Sequence, residues 1–289
     1  MKLLIAVDSA ISTEVLVAAV GIRPWPDGTT AHVLSIVADM DVPEEVWREE
    51  GYGKRAVWRE MEKRGEEITA VSVERLRSIG IPAEVVVARG DARFLIPFYA
   101  RKWASDLIFV RAHVRKDLFH WMLGSVARAV LTSAPCTVQI VRDNAEDRAH
   151  TVDSARRVLL ATDGSKTSNQ AARAVADRPW PEGSEFRVIS VDEPWAIKSS
   201  KVKAPQDAVS TAEQVLRSPG LNAAGEVLSG KPKETILADA QNWAADLIVV
   251  GSHGRRGVRR LLLGSVSEAV AMQAHCSVVV VRATRKGET

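Results

Sequence analysis

Cysteine is scarce in this chain, since only Cys136 and Cys276 occur among its 289 residues. Two cysteines cannot form the set of disulfides that holds small secreted domains together. Each cysteine comes just before a short apolar segment near the end of one half of the sequence. We therefore expect two buried, unreactive thiols, and a redox or metal site is the less favoured alternative.

Long apolar runs are also absent. No segment reaches the roughly 18 consecutive apolar residues that a membrane-spanning helix needs. The apolar run near the N-terminus, Leu3 to Val7, stops at Asp8 and is too short for the apolar region of a secretory signal peptide. We expect a cytoplasmic protein that does not enter a membrane.

An excess of charge of one sign is lacking as well. The chain has 39 Lys and Arg against 36 Asp and Glu, which gives a formal net charge of +3. Nucleic-acid-binding proteins usually carry a strongly basic face, so this balance argues against such a function. The composition is that of an ordinary globular protein, and the length suits one large domain or two of common size.

An internal repeat divides the chain into two similar halves. Pro24-Trp25-Pro26 recurs as Pro179-Trp180-Pro181, and the segment Leu-Gly-Ser-Val at residues 123–126 recurs at 263–266. Repeats of this length indicate that one architecture is built twice.

The polar stretch from Asp143 to Ser154 has no apolar periodicity and predicts a linker. It separates a first domain at residues 1–143 from a second domain at 155–289. In each half, short apolar segments such as 157–162 alternate with amphipathic helical segments such as 168–176. This alternation predicts an α/β fold, with a doubly wound parallel sheet covered by helices on both faces in each domain.

Two loops of the second half carry residues suited to an anion. Gly251 and Gly254 follow a strand, and Gly264-Ser265 come later at the predicted start of a helix, where free N–H groups and the helix dipole favour phosphate. Arg255, together with the arginine after it, adds positive charge to the same loop. Ligands of parallel sheets bind beyond the carboxyl ends of the strands, where a carboxylate such as Asp163 can accept hydrogen bonds from ribose.

The spacing Gly-x2-Gly-x9-Gly-Ser at these positions resembles the nucleotide-binding signature of the universal stress protein family. The segment from Val158 to Ser165 resembles the first strand and Asp-Gly-Ser turn of that family. The resemblance covers nearly the whole chain twice, and it implies two sandwiches of the adenine-nucleotide alpha-hydrolase-like type. It further implies that the two halves pair as a pseudo-dimer through their last strands, 137–141 and 277–281, and a homodimer of whole chains stays open.

The resemblance implies an adenine nucleotide as ligand, with ATP as the expected compound, with or without Mg²⁺. Asp163 would meet the ribose or the adenine, Val191 would pack on the adenine, and the glycines would surround the phosphates. The complete set of expected nucleotide-binding residues is Asp163, Gly164, Val191, Gly251, Gly254, Arg255, Gly264, Ser265, Val266 and Ser267.

The first half departs from this pattern. Arg111 and Val114 replace the two loop glycines, while Asp8 and the pair Gly124-Ser125 remain. A β-branched valine is unfavourable where a positive φ is needed, and a side chain there would fill space meant for phosphate. We expect ATP to bind once per chain, in the second half, and a weak anion site in the first half stays open.

Structural explanations compete with several of these assignments. Asp163 could cap the following helix, and Gly264-Ser265 could be only a helix start. His253 has its counterpart in His113, where the glycine motif has failed, so a structural role is favoured for it. Arginines 255, 256, 259 and 260 could form a solvated basic face.

Three functions remain open on the sequence alone. The first is a stress-response regulatory protein that binds ATP with little or no catalysis. The second is a slow ATPase or nucleotidyl-transfer enzyme, in which His253 or Asp163 would activate a nucleophile. The third is an interaction scaffold that has lost nucleotide binding.

Overall fold

The computed structural model describes residues 1–21, 24–38, 54–112, 123–142, 156–195, 204–254 and 263–282. The described elements of the first half are β1 (Lys2–Val7), α1 (Ala10–Gly21), β2 (Thr30–Val37), α2 (Lys54–Ser78), β3 (Ala83–Arg89), α3 (Ala92–Lys102), β4 (Leu107–Arg111), α4 (Ser125–Ser133) and β5 (Thr137–Val141). Those of the second half are β6 (Arg157–Ala161), α5 (Lys166–Ala176), β7 (Glu185–Asp192), α6 (Pro205–Arg217), β8 (Asn222–Ser229), α7 (Pro232–Asn242), β9 (Leu247–Gly251), α8 (Ser265–Gln273) and β10 (Ser277–Val281). The expected linker at 143–154 lies outside the described residues.

The α/β fold expected from the sequence is confirmed, and the strands of each half form a parallel sheet. The order along the continuous sheet is β3-β2-β1-β4-β5-β10-β9-β6-β7-β8. Within each half the first strand lies between the second and fourth strands, because the chain winds outward in both directions from it. Such a reversal of winding leaves a crevice at the carboxyl ends of the strands.

Helices cover both faces of the sheet, which explains why the strands are apolar along their whole length. On one face α1 and α2 pack on the first half, and α5 and α6 pack on the second half, each pair over its own buried cluster. On the other face α3, α4, α7 and α8 share one cluster that runs across both halves. The two halves therefore have a common core on that face.

The last strands of the two halves lie side by side. β5 and β10 are antiparallel, with Val279 opposite Gln139 at the centre of the register. An apolar edge strand exposes unpaired N–H and C=O groups, and this pairing removes both such edges at once.

Two arginines that follow these strands bind across the boundary between the halves in a reciprocal way. Arg142 donates to the carbonyl oxygens of Ala271 and Cys276, at 2.6 and 3.1 Å. Arg282 donates to those of Leu131 and Thr132, at 2.6 and 2.8 Å. The C-terminal carbonyls of α8 and α4 lack intrahelical partners, so each half supplies a cation to the helix end of the other.

The two cysteines lie where the sequence predicts them to be, as free and buried thiols. Burial raises the pKa of Cys136 to about 12, and the charge of Asp106 acts in the same direction. A thiol with such a pKa is protonated and inert at neutral pH. Among the described helices, none combines the length and the apolar character required to cross a membrane.

Replacement of Arg142 tests the contact between the halves. The side chain is only 2% exposed, so Arg142→Met leaves two buried carbonyls without their donor. We expect the free energy of unfolding to fall by about 1–3 kcal/mol in urea titrations. Arg128→Ala is the matched control, since it breaks only an exposed pair with Glu268 across the same boundary, worth about 0–1 kcal/mol. Equal losses in the two variants would contradict this account.

The pKa of Cys136 gives a pH dependence of stability. Because its pKa is raised in the folded state from 9.0 to about 12, the buried thiol stabilises the fold fully below about pH 9, and this contribution is lost as the pH rises toward 12. We expect the free energy of unfolding of the unsubstituted protein to decline relative to Cys136→Ala by about 1.4 kcal/mol per pH unit above pH 9. Urea titrations between about pH 8 and pH 10.5 measure this difference. If the free energies of unfolding of the two proteins change by the same amount over this range, the prediction is wrong.

Candidate nucleotide site

The candidate site lies at the carboxyl ends of three neighbouring parallel strands. β6 pairs with β9 on one side, with Ala161 beside Val250, and with β7 on the other, with Ala161 beside Ile189. The turn after β6 and the glycine loop after β9 therefore leave the sheet at the same edge. Val191 lies near the end of β7 at this edge, and it is half-buried against the shared core.

The turn after β6 depends on Gly164. Its φ is 72°, a conformation that side-chain-bearing residues rarely adopt. Its N–H donates to Thr162 Oγ1 at 3.2 Å, which closes the turn. This glycine directs the chain from the strand into α5.

Asp163 faces the glycine loop. One carboxylate oxygen, Oδ1, accepts from the N–H of Ser165 at 3.0 Å. A Cβ placed on Gly254 would lie 3.0 Å from the other oxygen, Oδ2. Ser165, and not Asp163, is the N-cap of α5, since its side chain accepts from the N–H of Ser168. The alternative that Asp163 only caps this helix is therefore wrong.

Gly251 is required for space, and backbone conformation does not explain the glycines of this loop. None of Gly251, Gly254 and Gly264 has a positive φ, so the expectation of a positive φ in this loop is wrong. A Cβ on Gly251 would lie 2.7 Å from the backbone N of Ser168 and from the carbonyl carbon of Thr167. The first turn of α5 rests directly on Gly251, and only a residue without a side chain leaves room for it.

The N-terminus of α8 is open toward the same loop. Gly264 is its N-cap, and no side chain of the described residues caps the helix. The N–H of Gly264 donates to the carbonyl of Ser252 at 2.8 Å, which fixes the helix start against the loop. Ser265 is exposed at the first helical position. Uncapped N–H groups and the positive end of the helix dipole can hold an anion there.

The next two residues of α8 have supporting positions. Val266 is half-buried against the shared core. Ser267 is buried, and its hydroxyl donates to the carbonyl of Gly251 at 2.6 Å. This hydrogen bond connects α8 to the glycine loop. The position of Ser267 in the sequence does not reveal this role.

His253 is held within the loop in its neutral form. Burial lowers its pKa below the ordinary value, and the guanidinium of Arg282 lowers it further. Its Nδ1 lies 2.9 Å from Ser252 Oγ, and its Nε2 is buried. Arg255 and the basic residues 256, 259 and 260 lie outside the described part of the chain.

Hydroxyl groups at the start of α5 hold the loop, and they are absent from the residues expected on the sequence. Thr167 Oγ1 donates to the carbonyl oxygen of His253, and Ser165 Oγ lies 3.2 Å from the same oxygen. The serine after Asp-Gly could have been recognised as an N-cap. Nothing in the sequence pairs a hydroxyl of α5 with a carbonyl that lies more than 80 residues away.

The corresponding region of the first half is a small cavity. It measures about 90 Å³ and is lined by Asp8, Ser12, Arg111 and mostly apolar side chains. Ligand pockets for drug-sized molecules are usually about 300 Å³ or larger. Arg111 takes the position of Gly251, while His113 and Val114 lie outside the described residues. Among the residues that the structure describes, no cluster of His, Cys, Asp or Glu could hold a metal ion.

Comparison with known families matches both halves of the chain to one and the same family. The sequence model of the universal stress protein family matches residues 1–142 and again residues 154–282. A universal stress protein of Methanocaldococcus jannaschii is 32% identical over 143 residues, which is 45% of this chain and 84% of that protein. A universal stress protein of Mycobacterium bovis is 28% identical over 188 residues, 62% of each chain.

Solved structures agree with the fold over both halves together. The crystal structure of a universal stress protein from Archaeoglobus fulgidus superposes with a TM-score of 0.68 at 24% identity, covering 97% of this chain and 96% of that one. A universal stress protein from Pseudomonas aeruginosa gives 0.59 at 16% identity, over 98% and 93% of the two chains. At these identities the likeness establishes the architecture.

The close approach of α5 to Gly251 predicts a difference between the two loop glycines. Gly251→Ala puts a methyl group 2.7 Å from backbone atoms, and we expect a loss of about 1–3 kcal/mol in the free energy of unfolding. Gly254→Ala meets only a carboxylate oxygen of Asp163, the end of a side chain that can turn away, so its effect should be small. Urea titrations without nucleotide measure both variants, and equal stabilities would show that the helix does not press on Gly251.

Proposed function

The chain belongs to the universal stress protein family, with one family domain in each half, and we propose that it is a regulatory protein that binds ATP in its second domain. The first domain, residues 1–143, keeps the fold without a working nucleotide loop, and the second, residues 155–289, carries the site. Catalysis is slow or lacking in this proposal. The nucleotide acts by stabilising one conformation of the pair of domains.

One observation carries the proposal, which is that three suitable features meet at one edge of the sheet. A carboxylate at Asp163, a glycine loop at 251–254 and the uncapped N-terminus of α8 approach one another there. Helix N-termini beside glycine loops bind phosphates, and carboxylates at strand ends bind ribose. Val191 supplies an apolar surface for the base at the same edge. Arg255 belongs to the proposed set through its position in the sequence.

Limited catalysis is proposed because His253 is poorly suited to act as a general base. A general base must reach the proton that it removes. The Nδ1 of His253 faces Ser252 Oγ, and Nε2 is buried away from solvent. The carboxylate of Asp163 is engaged by the turn that follows it. ATP turnover measured with and without Mg²⁺ separates this proposal from that of a slow ATPase.

The paired arrangement of the domains belongs to the proposal as well. We take the pairing of β5 with β10 and the reciprocal contacts of Arg142 and Arg282 to be the arrangement in solution. A homodimer of chains is compatible with it, and a cytoplasmic location is retained from the sequence expectation.

Matched serine variants test which half binds the nucleotide. Ser265 and Ser125 occupy the same first position of α8 and α4. We expect Ser265→Ala to weaken ATP binding by about 1 kcal/mol, because one hydroxyl is lost while the helix N–H groups remain. Ser125→Ala should leave the affinity unchanged. Isothermal titration of the full chain should give one ATP per chain.

Gly254→Val is the stronger variant, since it reproduces the residue found at position 114 of the first half. It should weaken ATP binding by at least ~1–3 kcal/mol, with a melting temperature close to that of the unsubstituted chain. Two ATP per chain would show that both halves bind the nucleotide. A loss caused by Ser125→Ala and not by Ser265→Ala would place the site in the first half. Unchanged affinity in folded Gly254→Val would remove the loop from the site.

A further inference from the structure

The start of α5 holds one peptide group of the glycine loop. The carbonyl oxygen of His253 accepts a hydrogen bond from Thr167 Oγ1, and Ser165 Oγ lies 3.2 Å from it. Ser165 Oγ also lies 3.2 Å from Ser168 Oγ and has a single proton to share between these neighbours. Thr167 is therefore the principal donor to His253.

The contact between Thr167 and the carbonyl of His253 also determines the direction of the N–H of Gly254, because both groups belong to one peptide. The described chain contains no cis peptide bonds, and in a planar trans peptide the C=O and N–H point in opposite directions. When the carbonyl of His253 is directed to α5, the N–H of Gly254 is directed away from it. The nitrogen of Gly254 lies 3.6 Å from where a Cβ of Gly264 would be. The nitrogen of Gly254 is therefore close to the uncapped start of α8.

Gly251 is what allows Thr167 to approach so closely. A Cβ on Gly251 would lie 2.8 Å from Thr167 Oγ1, in addition to its clash with the backbone of α5. A larger residue would push α5 away and take the hydroxyl out of reach of His253. The first glycine of the loop and Thr167 therefore act together on the orientation of one peptide.

The first half lacks the main parts of this arrangement. Ser9 precedes α1 and accepts from the N–H of Ser12, as Ser165 precedes α5 and accepts from the N–H of Ser168. In this alignment of the two helix starts, Ile11 stands in the place of Thr167, and Arg111 stands in that of Gly251. The repeat in which the first loop glycine is replaced therefore also lacks the hydroxyl that would hold the loop.

We propose that Thr167, assisted by Ser165, is a positioning residue that aims the N–H of Gly254 at a phosphate group bound before α8. The inference rests on the proposed nucleotide function and adds to it a residue outside the glycine signature. Thr167 does not touch the ligand. It acts through the peptide between His253 and Gly254, and the group that it serves is the phosphate, while the adenosine part of the ligand is held elsewhere.

The test compares three variants of the full chain, with ATP and adenosine as the probes. Thr167→Val keeps the shape of the side chain but removes the hydroxyl, and it should weaken ATP binding about tenfold. Adenosine, measured by competition with a fluorescent ATP analogue, should bind as in the unsubstituted protein. Thr167→Ser restores the donor and should restore the ATP affinity. Thr211→Val is the control, because it removes a hydroxyl that donates to the carbonyl of Asp207 on α6.

Three results would overturn the inference. The first is unchanged ATP affinity in Thr167→Val. The second is an equal loss for ATP and adenosine, since a collapsed loop would weaken both. The third is a Thr167→Ser variant that is folded and as impaired as Thr167→Val. If Thr167→Val does not give a cooperative melting transition, Ser165→Ala replaces it with the same criteria and an expected loss of about threefold.

A measurement without nucleotide separates failure of this inference from failure of the proposed function. In protein labelled with ¹⁵N-glycine, Thr167→Val should shift the amide resonance of Gly254, and Thr167→Ser should shift it far less. An unmoved Gly254 resonance in Thr167→Val contradicts the positioning role. Absence of ATP binding by the unsubstituted chain contradicts the proposed function, and the resonance of Gly254 still decides whether Thr167 orients the peptide.

Discussion

The parallel pairing of β6 with β9 is the contact on which the candidate site depends. Strands 90 residues apart in sequence leave the sheet at the same edge because Ala161 lies beside Val250. A shift of this register would separate Asp163 from the glycine loop and move the start of α5 away from Gly251. Register in a sheet covered on both faces is specified by the burial of its side chains, so the apolar core supports the geometry of the polar site.

The two halves differ in their loops while sharing their core. The apolar positions of the strands recur, and both halves fold in the same way, because burial of those side chains supplies most of the stabilisation. The loops contribute less to stability and have diverged, so that Arg111 stands where the second half has Gly251. Replacement of a loop glycine by arginine therefore does not require loss of the fold, and the first half still presents its last strand and Arg142 to the second.

The reciprocal arginines support the pairing of β5 with β10 in one sheet. Buried Arg142 and half-buried Arg282 each donate to a carbonyl in the last turn of a helix in the other half, where the negative end of the helix dipole stabilises the charge. Burial lowers the pKa of Arg142 to about 10, which leaves it protonated at neutral pH. The helix that Arg142 holds, α8, is the one whose opposite end forms part of the candidate site. The boundary between the halves and the proposed nucleotide position thus share one rigid element.

The sequence by itself determined the repeat, the α/β class and the residues at the carboxyl edge, because apolar periodicity and glycine spacing are local patterns. It could not show why the glycines are needed. The clash that excludes a side chain at Gly251 comes from α5, and the hydroxyl of Thr167 reaches a carbonyl from a different part of the chain. Backbone conformation was the expected reason for the loop glycines, whereas close packing is the reason at Gly251. Only the tertiary structure decided this, since contacts between distant segments depend on how the strands pair.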